Sequence, residues 1–247
     1  MSMYKISIGD IIIDVVRKNI KHMHLSVHPP DGKVRISAPR RIDDEAVRSF
    51  AVSKLKWIKL HRARLKKQKR QLPLKYISGE RHYFKGKRYV LHVIYQSPPL
   101  PNKVKIRSEK YLDLSIRKGT HKEQRKRVLT EWYREQLKDM VPDLLKKWKE
   151  RIGVKVSDWG VKRMKTKWGS CNLTAKRVWL NLELAKKPPL CLEYILVHEL
   201  VHFLEPTHNT RFKAFMDKFL PDWRLIEKEL NRFPIEHSDS LFGKHFY

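Results

Sequence analysis

Residues 188–208, PPLCLEYILVHELVHFLEPTH, decide how the rest of this sequence is interpreted. Residues 190–204 are apolar almost all round, which predicts a helix buried in a domain core. Prolines at its start and at position 206 mark the expected ends of that helix. His198 and His202 are four residues apart, so both imidazoles lie on one helix face and can reach a single metal ion.

His208 follows shortly afterwards and can supply a third ligand. Zinc readily accepts imidazole nitrogen, and a catalytic zinc site needs three protein ligands and one open position for water. Glu199 is adjacent to the first ligand, so its carboxylate lies beside the metal, where it can take a proton from the bound water. We therefore predict one Zn²⁺ held by His198, His202 and His208, with Glu199 as the catalytic general base.

A structural alternative is that these histidines lie in a core helix and form ordinary hydrogen bonds. That alternative leaves Glu199 without a role, because a carboxylate in so apolar a stretch is costly unless it is paired or used. The chemistry that fits the whole pattern is metal-assisted hydrolysis. The ligand spacing equals that of the metzincin proteases, but Glu205 stands where their signature has glycine, which argues against that class.

Other motifs lie around this helix in a fixed order. They are Trp168-Gly169-Ser170-Cys171, Leu180-Asn181-Leu182, Pro188-Pro189, His208 with Phe212, and Pro221-Asp222-Trp223. Together with HELVH at 198–202, this order resembles the YgjP-like metallopeptidase family, which is related to the SprT-like zinc proteases. The resemblance is specific over residues 160–224 and loose elsewhere. It implies a zincin-like fold, one zinc held by the three histidines and Glu199 as general base, and it implies little about the substrate.

The order of predicted elements indicates an α+β protein in two domains. Residues 1–118 are expected to form a β-rich, basic module with one long helix, about 43–69. Residues 119–247 are expected to form a zincin-like metallopeptidase domain, with a helix, a small antiparallel sheet, the HExxH helix and C-terminal helices. Strands followed by a basic helix occur twice, and a diverged duplication is one explanation, although no residue-level register supports it.

The small sheet has a candidate substrate-binding edge. In a zincin-like fold, a sheet edge beside the metal pairs with an extended peptide through main-chain hydrogen bonds. We predict that the strand near Trp168, Gly169 and Ser170 is this edge, and the alternative is a glycine turn packed by a core tryptophan. Cys171 is interpreted as a packed cysteine rather than a nucleophile or further ligand, because three histidines already complete a catalytic zinc shell.

The charge of the chain is strongly unbalanced. Its 247 residues include 55 Lys and Arg against 26 Asp and Glu, which gives a formal charge of +29. This excess favours a polyanion partner, with nucleic acid first, and a generally basic soluble surface is the alternative. The candidate phosphate contacts lie at the basic end of the first long helix: Arg62, Arg64, Lys66 and Lys67.

Two cysteines cannot form a disulfide framework, and the N-terminal residues lack the pattern of a signal peptide. No run approaches the roughly eighteen apolar residues that a membrane span needs. The expectation is a soluble, cytoplasmic protein without membrane association. The sequence leaves the oligomeric state open.

The sequence therefore predicts a zinc metallopeptidase that hydrolyses protein or peptide substrates, and its charge favours action on nucleic-acid-associated proteins. The alternative is a nucleic-acid-binding protein with a structural or vestigial zinc site. Glu199 favours the enzyme, because a structural site needs no base and more often closes with a fourth ligand. No residue that stabilises an oxyanion is identified.

Overall fold

A computed structural model of the chain describes residues 3–28, 31–67, 74–97 and 99–231, without the side chains of residues 64–67. These residues form two compact units, one ending at Lys67 and one running from Leu74 to Asn231. None of the helices in these ranges is long and apolar enough to cross a membrane.

The first unit is a four-stranded sheet with two helices on one face. The strands are β1 (Met3–Ile8), β2 (Ile11–Lys18), β3 (His24–His28) and β4 (Lys33–Pro39), and they lie in the order β1-β2-β4-β3. Helix α1 spans Asp44–Ser53 and helix α2 spans Leu55–Lys67. Alternating apolar residues of the strands pack against Val47, Ala51 and Ile58 of the helices, so one face of the sheet forms the core of this unit.

The predicted helix at about 43–69 is two helices, which corrects the expectation of one. The break occurs at Lys54, whose backbone N–H donates to the carbonyl of Ala51 at 3.2 Å instead of continuing the regular α-helical pattern. Neither proline nor glycine marks this position. The break separates α1, which contributes Val47 and Ala51 to the core, from α2, which contributes Ile58 to the same core.

The second unit begins with another four-stranded sheet. Its strands are β5 (Arg81–Phe84), β6 (Lys87–Gln96), β7 (Lys103–Ile106) and β8 (Tyr111–Arg117), in the order β5-β6-β8-β7. Both sheets have antiparallel outer pairs and a parallel central pair. The parallel partners also have the same sequence separation, since Ile13 lies opposite Val34 and Val90 lies opposite Tyr111. This shared topology and register support an internal duplication.

The remainder of the second unit carries the HExxH segment. Its elements are α3 (Lys122–Ile152), β9 (Asp158–Lys162), β10 (Gly169–Asn172), β11 (Arg177–Asn181), a 3₁₀ segment (Leu182–Lys186), α4 (Pro189–Val201), α5 (Thr210–Phe219) and α6 (Trp223–Leu230). The long helix α3 packs against the 3₁₀ segment and α4 along one buried face. The predicted order of helix, small sheet, HExxH helix and C-terminal helices is therefore present.

The small sheet is mixed, although an antiparallel sheet was expected. Its order is β10-β11-β9, with β10 antiparallel and β9 parallel to β11. Strand β10 pairs with one side of β11 and β9 pairs with the other, so the chain crosses the sheet from β9 to β10 before it returns as β11. Because of this additional crossing, β9 and β11 run in the same direction.

The division into units also differs from the predicted boundary between residues 118 and 119. The second sheet belongs with the helices that follow it, because its β5–β6 turn is bonded to the segment leading into α4. Lys85 N–H donates to the carbonyl of Ala185 at 2.9 Å, and Gly86 N–H donates to that of Lys186 at 3.2 Å. Gly86 has a φ of +77°, and a Cβ there would lie 2.9 Å from Cγ of Pro188.

Candidate metal centre

Helix α4 places the HExxH residues in the interior of the second unit. Pro189 occupies the first turn, where its missing N–H costs nothing, and residues 194–201 are all buried. The helix contacts α3, α5, α6 and the small sheet, which explains why its sequence is apolar on every side. The predicted buried helix is confirmed.

The three histidines meet at one point. His198 lies in the last turn of α4, and His202 caps the C-terminus of that helix one turn later. His208 lies just before α5, whose first turn is capped by Asn209 accepting from the backbone N–H of Phe212 at 3.0 Å. One ring nitrogen from each histidine falls within 4.8 Å of the other two. Nε2 of His208 is 2.9 Å from Nε2 of His198.

The protonation of these rings fits a metal site. His202 Nδ1 lies 3.2 Å from the carbonyl of Glu205, which can only accept, so Nδ1 carries the proton and Nε2 keeps its lone pair. Burial, followed by the neighbouring rings of His202 and His208, lowers the pKa of His198 well below its usual value. Burial also lowers the pKa values of His202 and His208. Neutral imidazoles with converging nitrogens are the donor set that Zn²⁺ prefers.

The side chain of Phe212 packs against all three histidine rings. The ring centroid of Phe212 lies 4.9, 4.8 and 4.7 Å from those of His198, His202 and His208. This contact explains why Phe212 accompanies His208 in the motif set. Trp223, the first residue of α6, packs in a similar way against Tyr194, which lies one turn before His198 on α4. The two rings are nearly parallel, with centroids 6.3 Å apart, and Nε1 of Trp223 donates to Asp217 at 2.8 Å.

The carboxylate of Glu199 lies between α4 and strand β10. The side chain is almost fully buried, with 4% exposed, and this burial raises its pKa to about 8 against the opposing charge of Lys167. The thiol and the backbone N–H of Cys171 act on this carboxylate and lower its pKa, which is the direction expected of neighbouring hydrogen-bond donors. Sequence reasoning did not find this contact, because residues 171 and 199 are distant in the chain.

The predicted substrate edge, Trp168 to Ser170, lies directly above Glu199. Trp168 is buried, and Gly169 begins β10, which is an edge strand of the small sheet rather than a turn. A Cβ at Gly169 would lie 2.5 Å from Oε1 of Glu199 and 2.8 Å from Cγ2 of Ile195. Only glycine lets the strand approach the helix this closely.

Asn181 fixes the loop that precedes this edge strand. Its side chain is fully buried, and Nδ2 donates to the carbonyls of Met164 and Lys167 at 2.9 and 2.7 Å. Its backbone N–H donates to the carbonyl of Trp168 at 2.8 Å. Asn181 of the Leu180-Asn181-Leu182 motif therefore stabilises the loop through hydrogen bonds. The sequence signal for this role was the position of the asparagine between two apolar residues.

The candidate phosphate contacts belong to α2 in the first unit. Arg62 is half-buried, and its Cγ would lie 3.3 Å from a Cβ at Gly32, so its stem packs on the neighbouring turn. The helix backbone continues to Lys67, but the side chains of Arg64, Lys66 and Lys67 lie outside the described residues. The role of these four residues stays a prediction.

A buried helix that brings two histidines and a glutamate beneath a sheet edge, with a third histidine before the next helix, is the arrangement of a metallopeptidase. The chain belongs to the YgjP-like metallopeptidase family, whose metallopeptidase domain model matches residues 21–233. The crystal structure of the metallopeptidase zymogen of Pyrococcus abyssi abylysin is similar to part of it, with 23% identity, a TM-score of 0.35 and coverage of 37% of this chain and 92% of that one. No curated protein matches the chain.

Proposed function

We propose that this metallopeptidase is zinc-dependent, that His198, His202 and His208 hold the metal, and that Glu199 is its general base. The observation that carries the proposal is the convergence of three imidazole nitrogens within 4.8 Å beside a buried carboxylate. Three neutral imidazoles leave one coordination position open, as a catalytic zinc site requires. A structural site would more often be closed by a fourth ligand, and would have no use for Glu199.

The proposed reaction is hydrolysis of a peptide bond. When bound, Zn²⁺ supplies a Lewis acid that polarises the scissile carbonyl and lowers the pKa of an attacking water molecule. In its ionised form, which the positive charge of a bound metal ion would favour against the effect of burial, Glu199 accepts the proton of that water and then delivers it to the leaving amine. The outer edge of β10, with Gly169 and Ser170 at its start and Trp168 just before it, pairs with the main chain of an extended substrate and aligns it above Glu199.

The proposed function is tested with dye-labelled casein as the substrate. Cleavage by the purified protein should stop when a chelator removes the metal, and it should return when Zn²⁺ is added back. The reason is that the histidines bind the metal but do not themselves polarise the scissile carbonyl, so hydrolysis requires the metal. Cleavage that continues at the same rate in the metal-free protein would contradict zinc dependence.

The formal charge of +29 supports a second part of the proposal, namely that the peptidase works on proteins associated with nucleic acid. Binding driven by phosphate neutralisation weakens steeply with salt, with a log–log slope of about 0.9 per neutralised phosphate on duplex DNA. Replacing Arg64, Lys66 and Lys67 with glutamate should flatten that slope by about 0.9 for each phosphate that the variant no longer neutralises. The measurement is duplex DNA affinity at several salt concentrations, with zinc content and cleavage of a short free peptide unchanged.

A matched charge reversal separates a local interaction from a general effect of net charge. The control replaces Lys103, Lys105 and Lys118, three exposed residues of the second unit, with glutamate. It changes the formal charge by the same amount, and its salt slope should stay at the wild-type value. If both triple variants show the same salt slope, or if the DNA affinity of the wild type does not change with salt, the positive charge would be explained as a generally basic surface.

A further inference from the structure

Two buried carboxylates of the second unit are stabilised in different ways. Glu183 has 1% of its surface exposed and forms ion pairs with Arg163 at 3.2 Å and Lys186 at 2.8 Å. Glu199 is buried to a similar extent, yet it forms no ion pair within the described ranges. A buried carboxylate without a paired cation needs hydrogen-bond donors to be tolerated. For Glu199, the donors that act on the carboxylate and lower its pKa are the thiol and the backbone N–H of Cys171.

Strand β10 is shaped to bring those donors to Glu199. Alternate residues of a strand point to the same face, so Gly169 and Cys171 both face α4, while Ser170 points the other way beside Trp179. Gly169 has no side chain, and its backbone passes so close that a Cβ would lie 2.5 Å from Oε1 of Glu199. Cys171 then follows with a short side chain that ends in a donor.

The thiol of Cys171 is suited to donating and poorly suited to attack. Burial, and then the neighbouring charge of Glu199, raise the pKa of the thiol to about 12. The group is therefore protonated at neutral pH, whereas a nucleophile or a metal ligand must be a thiolate. Only the hydrogen-bonding role is compatible with a proton that stays on the sulfur.

We propose that Cys171 is a positioning residue, whose thiol and backbone N–H hold the carboxylate of Glu199 in the orientation that receives a proton from the attacking water. This inference rests on the proposed function, because it assigns Glu199 the role of general base. The thiol contact restricts rotation of the carboxylate about its terminal bond, a torsion that is broad in unrestrained glutamates. Loss of the thiol should slow the chemical step without weakening the binding of substrate or metal.

The first test compares Cys171→Ala with Cys171→Ser on dye-labelled casein. Alanine removes the donor, and a hydrogen bond to a charged group corresponds to a loss in kcat of about tenfold to hundredfold, with KM and zinc content unchanged. Serine keeps a donor at nearly the same place, so its kcat should stay within about threefold of wild type. An unchanged kcat in Cys171→Ala, or equal losses in both variants, would overturn the positioning role.

Cys191→Ala is the matched control for removing a cysteine. Cys191 is fully buried in the first turn of α4, and the groups that act on its thiol are Glu229 and Lys187 rather than Glu199. Its loss should lower the melting temperature by leaving a small cavity, while kcat of the folded, zinc-loaded protein stays at the wild-type value. A drop in kcat equal to that of Cys171→Ala would show that both effects are structural.

A second measurement does not depend on activity. In a double-mutant cycle, the shift in urea midpoint caused by Cys171→Ala is measured in the wild-type and in the Glu199→Ala background. The shift should be smaller when Glu199 is absent, because the two side chains contact each other. Equal shifts would overturn the contact. A wild type that cleaves nothing would contradict the proposed function instead, and the cycle would still decide whether Cys171 holds Glu199.

Discussion

Replacing Glu199 with glutamine is expected to lower the rate of casein cleavage by a factor on the order of 10² to 10⁴. Glutamine keeps the shape of the side chain and an acceptor for Cys171, but it cannot take a proton from the attacking water. The three histidines are untouched, so the variant should contain as much zinc as wild type. The measurement is the cleavage rate of both proteins, normalised to zinc content determined by mass spectrometry.

Glu193→Gln provides the control for that comparison. Glu193 lies on the same helix, and its Oε1 accepts from Lys147 Nζ and Trp148 Nε1, each at 2.8 Å. The same chemical change therefore removes a carboxylate from α4 at a distance from the histidines. We expect this variant to cleave casein at the wild-type rate. Equal cleavage by wild type and Glu199→Gln would remove Glu199 from the mechanism.

His202→Ala is expected to abolish both zinc retention and cleavage. Its Nδ1–H is bonded to the carbonyl of Glu205 at 3.2 Å, so the ring is oriented with Nε2 toward the cluster. Without this ring, two histidines remain, which is too few for a stable catalytic zinc site. Because metal binding contributes to the stability of the folded state, the melting temperature should also fall toward that of the metal-free wild type.

His24→Ala distinguishes a ligand from any other histidine. His24 is an exposed residue of β3 in the first unit, and its replacement should leave zinc content and melting temperature unchanged. The measurement is zinc per chain after gentle purification of the three proteins. Full occupancy in His202→Ala, or near-zero zinc in the wild type, would contradict the assignment of the metal site.

The convergence of the three histidines at the candidate site could be predicted because its signals are local. The spacing of His198 and His202 follows from the helical period, and the apolar character of 190–204 indicates burial directly. His208 lies close enough in sequence that only a short turn separates it from the other two. Such features need no knowledge of how distant segments pair.

Features that depend on pairing between distant segments were not predicted. The parallel alignment of β9 with β11 depends on the crossing strand β10, and periodicity alone does not encode the direction of a neighbouring strand. The contact of Cys171 with Glu199 requires both the sheet and α4 to be in place. Neither proline nor glycine stands at the break at Lys54, so the sequence carries no local signal for it. The break is associated with the packing of both helices into one core, which involves distant segments.

The boundary between the units was missed for the same reason. The second sheet resembles the first in strand order, and the sequence offered no reason to separate the two sheets. Hydrogen bonds from Lys85 and Gly86 to the segment before Pro188 join the second sheet to the chain that leads into α4. That connection bridges about a hundred residues of chain, a separation over which composition and turn signals carry no information on contact.

The most direct test of the central claim is a titration of metal-free protein with Zn²⁺, monitored by the rate of casein cleavage. If His198, His202 and His208 form a single catalytic site, the rate should rise in proportion to added zinc and become constant at about one equivalent per chain. A metal-free protein that already cleaves at the full rate, or a rate that does not respond to zinc at all, would contradict the account.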